Sequence, residues 1–116
     1  MEEIERLKED EQEEEQKRED EERDEVSVKR VHVFISGRVQ GTFFRAFINR
    51  KAEELNLKGW VKNTKDERVE AVFEGEEDNI KEMLELCYEG PSGAKVENVE
   101  YNDEDLENLK DFEIKY

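Results

Sequence analysis

Of 116 residues one is cysteine and one is histidine, and no apolar run approaches the roughly 20 residues that a membrane-spanning helix needs. A single cysteine excludes an internal disulfide. The N-terminal stretch has neither the apolar segment of a secretory signal nor the acid-poor, arginine-rich character of a transit peptide, so the expected location is the cytoplasm. Positive charge is also scarce, with 19 basic residues against 35 acidic ones and a formal net charge of −16. That balance repels phosphate backbones at long range and argues against nucleic acid as a partner. Any anionic ligand must be captured by a local positive site.

The charge is uneven. Residues 1–25 hold 15 acids and 5 bases, and their only large apolar residues are Met1, Ile4 and Leu7. Such a stretch cannot bury enough surface to offset the entropy of ordering it, although Glu2 with Arg6 and Glu13 with Lys17 have the spacing that supports a solvated helix. We read it as an acidic tail, either disordered or a solvated helix, with an interaction arm as the functional alternative. Residues 26–116 carry a net charge of only −6 and form the expected single domain.

From Val28 the pattern becomes structural. Val31, Val33 and Ile35 alternate with Arg30, His32, Phe34 and Ser36, which predicts a strand with one strongly apolar face. Phe44, Phe47, Ile48, Ala52 and Leu55 follow at helical spacing, so a helix of about 12 residues is expected just after Gly41, ending over Asn56 to Gly59. Trp60 to Asn63 and Arg68 to Glu74 read as a hairpin around the polar turn Thr64 to Glu67. A second helix is marked by Glu76, Glu77 and Asp78 in its first turn and by Ile80, Met83, Leu84 and Cys87 on one stripe, with Gly90-Pro91 as its stop. Val96 to Tyr101 and Phe112 to Ile114 add strands. The expected fold is α+β, a ferredoxin-like βαββαβ sandwich with both helices on one face of an antiparallel sheet and the other face near water.

The segment that carries chemistry is Gly37-Arg38-Val39-Gln40-Gly41-Thr42-Phe43-Phe44-Arg45, between the first strand and the first helix. A loop curling into a helix N-terminus points unpaired N–H groups at one place, and the helix dipole adds partial positive charge there. Arg45, in the first helical turn, opposes that dipole, so its placement calls for an anionic partner. No Gly-Lys-Ser/Thr follows, and the dinucleotide fingerprint is absent. Without a ligand these features equally describe a tight connection and a solvent-facing arginine. His32 reads as a surface residue, Cys87 as a buried inert thiol, and no pair of carboxylates has a spacing that argues for acid/base catalysis or a metal site.

This segment resembles the signature of the acylphosphatases, Gly-x-Val-x-Gly-x-x-Phe-Arg, and Gly59-Trp60-Val61-Lys62-Asn63 resembles the family's second motif, Gly-aromatic-Val-x-Asn. The resemblance runs from about Val28 to Tyr116. It implies hydrolysis of the carboxyl-phosphate bond of small acyl phosphates, with no metal and no cofactor. By the same resemblance, the loop amides of Arg38, Val39, Gln40, Gly41 and Thr42 bind the phosphoryl oxygens together with Arg45, and the Asn63 carboxamide orients the attacking water. Two positions depart from the family pattern. Thr42 stands where an aliphatic residue is usual, and its hydroxyl is expected either to cap the first helix or to face the anion. Glu67 replaces a turn glycine; if the left-handed backbone is kept, it costs roughly 1 to 2 kcal/mol, and a reshaped turn would mis-aim Asn63. A non-catalytic phosphate-binding or protein-interaction module is the alternative function, and an RNA-recognition domain of the same strand order is disfavoured by charge. Oligomeric state and the physiological acyl phosphate are not legible in the sequence.

Overall fold

The computed structural model describes residues 27–116; the acidic tail read at residues 1–25 lies outside the described residues. The elements run β1 (Val28–Arg38), α1 (Phe44–Glu54), β2 (Lys58–Asn63), β3 (Val69–Glu76), α2 (Glu77–Glu89), β4 (Lys95–Glu104) and β5 (Phe112–Ile114). Strand order in the sheet is β4-β1-β3-β2-β5. Two central strands, β1 and β3, pair antiparallel through Val31 with Phe73 and Val33 with Ala71, which places their apolar sides on one face. Both helices cover that face. Helix α1 packs on β2 and β5, and α2 on β1, β3 and β4.

The core between the layers is built from Val31, Val33 and Ile35 of β1, Val69, Ala71 and Phe73 of β3, Phe44, Ile48 and Ala52 of α1, and Ile80, Met83 and Cys87 of α2. Burying each large apolar member contributes roughly 1.5 to 3 kcal/mol. The alternation and helical stripes seen in the sequence are therefore the faces that the fold buries. Helix α1 ends where expected: Leu55 is its C-cap, and Asn56 follows with φ of +58°, a left-handed position that asparagine tolerates.

Two features differ from the antiparallel sandwich with a bare outer face. β5 is parallel to β2, so the sheet is mixed. Its direction follows from topology: β4 lies at one edge and β5 at the other, so the intervening chain must cross the sheet before β5 begins. That crossing covers Arg30 and Glu74 on the outer face, which are only 6% and 4% exposed. Arg30 Nη1 donates to Glu74 Oε2 at 2.9 Å, and the backbone N–H groups of Glu107 and Leu109 donate to the two oxygens of Glu74 at 2.7 and 2.9 Å. The Glu74 carboxylate is thus the clip that holds the crossing chain. Burial raises its pKa, but the two backbone donors and Arg30 outweigh that and hold it below the ordinary glutamate range.

His32, next on the same face, is half-buried. Its two ring nitrogens lie 2.7 Å from carboxylate oxygens of Glu104 and Glu70. Carboxylates cannot donate, so this arrangement fits the doubly protonated imidazolium. Burial lowers the His32 pKa, and the hydrogen bonds to Glu104 and Glu70 overcome it, so the net direction is upward.

Candidate active site

The turn from β1 into α1 begins at a bulge. Gly37 pairs with Val96 after Ser36 has paired with Asn98, and a Cβ on Gly37 would lie 2.3 Å from the Lys95 carbonyl oxygen. Only glycine fits that approach. At Gly41 the requirement is different: a Cβ would meet nothing within 4 Å, and it is the φ of +78° that favours glycine. The chain thus curls with open space above it. Phe43, the N-cap of α1, also has a left-handed backbone, with φ of +66°, and no side chain caps the helix. Holding phenylalanine there costs roughly 1 to 2 kcal/mol.

Among the described residues, no backbone or side-chain acceptor takes the N–H groups of Gln40, Gly41, Thr42 and Phe43. Of these four residues, Gly41 and Phe43 line the cleft described next. Arg45, half-buried as the second residue of α1, pairs with no carboxylate among the described residues; its guanidinium lies over the Tyr116 ring, 4.9 Å from the centroid. Asn63 is the last residue of β2, two positions after the fully buried Val61, and so it points to the helix side of the sheet. The loop, Arg45 and Asn63 border one cleft of about 440 Å³, whose lining also includes Phe43, Ala46, Ile114 and Tyr116.

Val39, Gly41, Arg45 and Asn63 are therefore brought together, while the side chains of Arg38, Gln40 and Thr42 are turned elsewhere. Arg38 is exposed at the end of β1, paired through its backbone with Lys95. Gln40 Nε2 donates to the carbonyl oxygens of Thr64 and Arg68 at 2.8 and 2.9 Å. Thr42 neither caps the helix nor faces a ligand site; its hydroxyl donates to the Val39 carbonyl oxygen at 2.5 Å and so tightens the loop on itself.

The turn after Asn63 keeps its shape despite glutamate. Thr64 N–H donates to the Arg68 carbonyl at 2.9 Å, Glu67 N–H donates to the Thr64 carbonyl at 3.3 Å, and Glu67 has φ of +72°. This is the three-residue hairpin loop closed by a left-handed residue, the geometry that glycine usually supplies.

An acylphosphatase family model matches residues 31–114. The chain belongs to the acylphosphatase family. It is 46% identical to an acylphosphatase of Haloarcula marismortui over 75% of this chain and 96% of that one. Its fold is that of solved family members. An acylphosphatase from Coxiella burnetii superposes with a TM-score of 0.74 at 44% identity, covering 76% of this chain and 93% of the other. An acylphosphatase from Bacillus subtilis superposes with a TM-score of 0.75 at 34% identity, covering 78% of this chain and all of that one. The chain is thus an enzyme of the acylphosphatase class, and the two sequence motifs quoted above are the two walls of its cleft.

The sequence reading did not single out Phe43, Ala46, Ile114 or Tyr116 as cleft residues. A signal existed for the last two: period two from the buried Phe112 puts Ile114 and Tyr116 on the same side of the sheet. Nothing in the residue types marks Phe43 as left-handed. Among the described residues no helix is long and apolar enough to cross a membrane.

Proposed function

We propose that this chain hydrolyses small acyl phosphates without a metal ion, with the phosphoryl group held by the loop amides and Arg45 and the attacking water aimed by Asn63. The observation that carries this reading is the convergence of three elements on one cleft: N–H groups and a guanidinium that have no acceptor or carboxylate partner among the described residues, and a carboxamide on the facing strand. A planar guanidinium gives paired hydrogen bonds to phosphoryl oxygens and stays charged throughout. The carboxamide accepts from a water through its oxygen and donates to a phosphoryl oxygen through its nitrogen. An acyl phosphate has a carboxylate leaving group, so positioning and charge stabilisation suffice, and no general base of raised pKa is needed. The apolar lining side chains Phe43, Ile114 and Tyr116 are available to pack against the acyl part.

The test is hydrolysis of benzoyl and acetyl phosphate in excess chelator by the purified chain and by Asn63→Ala. The wild-type chain is expected to turn over undiminished by chelator, and the variant to lose about 10² or more in kcat with inorganic phosphate still competing. No turnover above background leaves only a binding module.

A further inference from the structure

We infer that the Gln40 side chain is a positioning residue for this reaction: it fixes the distance between the anion-holding loop and Asn63. The inference rests on the reading just given of what Asn63 does. The two halves of the cleft belong to different parts of the chain. Asn63 is held in the sheet, where it pairs with Val69. The loop from Val39 to Phe43 lies outside the sheet, between β1 and α1, with Val39 buried in the core.

Among the described residues, the hydrogen bonds that join this loop to the turn beyond Asn63 both come from one nitrogen, Gln40 Nε2. Its acceptors are not arbitrary carbonyls. Thr64 follows Asn63 directly, and Thr64 and Arg68 are the two residues whose backbone closes the hairpin loop, so a single NH2 group spends both protons on the closing pair. The side chain therefore points away from the ligand while its own backbone N–H is one of the four that have no acceptor among the described residues. Gln40 ties both walls of the cleft to one reference, and the left-handed Glu67 sits inside the turn it grips.

A displacement of about 1 Å between reacting groups can cost on the order of 10²-fold in rate, whereas an anion held by several amides and Arg45 tolerates the loss of alignment with Asn63. Removing the Gln40 donor should therefore damage kcat and spare phosphate binding. A merely structural hydrogen bond would instead lower thermal stability and leave the ratio of kcat to phosphate affinity unchanged.

The experiment uses the full chain with Gln40→Met, which keeps length and removes the donor, and Gln40→Glu, which keeps shape and faces the two carbonyls with an acceptor. Folding of each is checked by its cooperative melt. Expected are a fall in kcat of tenfold or more, inhibition by inorganic phosphate within about twofold of wild type, and no further loss beyond about twofold when Gln40→Met is added to Asn63→Ala. Inorganic phosphate is also titrated into 15N-labelled protein. In the wild type it should shift both the loop amides and the Asn63 side-chain NH2; in Gln40→Met only the loop amides. Full additivity of the two substitutions, an unchanged kcat, or an Asn63 resonance that still responds to phosphate overturns the inference. A wild-type chain that hydrolyses no acyl phosphate, yet shows the same uncoupling by resonance, overturns the catalytic reading and leaves the positioning role standing.

Discussion

Glu67 offers the cleanest measure of strain in the site, because its side chain is exposed and its backbone is left-handed at φ +72°. For an L-residue with a Cβ that conformation costs roughly 1 to 2 kcal/mol, and glycine pays none of it. Against this stands the greater freedom of glycine in the unfolded chain, about 0.4 to 1 kcal/mol. Glu67→Gly should therefore stabilise the domain by about 0.5 to 1 kcal/mol. For a domain of this size that raises Tm by about 2 to 8 °C. Among the described residues, the only hydrogen bond that Glu67 makes is from its backbone N–H to the Thr64 carbonyl, and glycine keeps it. Because the turn holds its shape already, the same substitution should leave kcat toward benzoyl phosphate within about twofold. The assay is a thermal melt at neutral pH with Glu67→Ala beside it, since alanine retains the Cβ and should recover little of the gain. A glycine variant that melts lower than wild type, or an alanine variant that gains as much, refutes the argument from backbone strain.

Arg45→Ala should weaken competition by inorganic phosphate as well as turnover, and Arg45→Lys should rescue little, because an ammonium lacks the planar fork; inhibition constants for phosphate check both. Glu74→Ala leaves Arg30 buried without its closest partner and frees the Glu107 and Leu109 N–H groups, a loss of about 3 kcal/mol or more measurable by denaturant titration. His32, its pKa raised in the folded state, stabilises fully below the unfolded value and loses that contribution as pH rises through the folded one; the Tm advantage of wild type over His32→Gln should therefore be largest below about pH 6 and shrink as the pH is raised above the ordinary histidine value of about 6.5. Burial pushes the Cys87 thiol up to about 12, so a thiol reagent at pH 8 should label it only at the rate of unfolding.

Periodicity alone was enough for most of the fold. Val31, Val33 and Ile35 at every second place, and Ile80, Met83 and Cys87 on one helical stripe, allow few arrangements in which all of them leave water. The two motifs around Gly41 and Asn63 supply the cleft's two walls, but glycine spacing and an opposed arginine described a tight connection equally well, and Asn63 entered only through the resemblance to the family. What lay beyond reach were the contacts between residues far apart in sequence. Arg30 stands in an alternating strand like any outward residue, and nothing near it in the chain reveals that Glu74 and the segment after β4 will bury it. Gln40 is likewise an ordinary loop residue until the hairpin arrives beside it.

By itself, then, the sequence determined which faces are buried, where the helices stop, and that a glycine loop and an arginine stand together between β1 and α1, since each follows from side-chain type and spacing along a few turns of chain. Only the tertiary structure decided that β5 runs parallel to β2, that Ile114 and Tyr116 complete the cleft, and that a glutamine ties its two walls together. Those outcomes depend on where distant segments meet, and hydrogen bonds and ion pairs across the sheet exist only once it has formed.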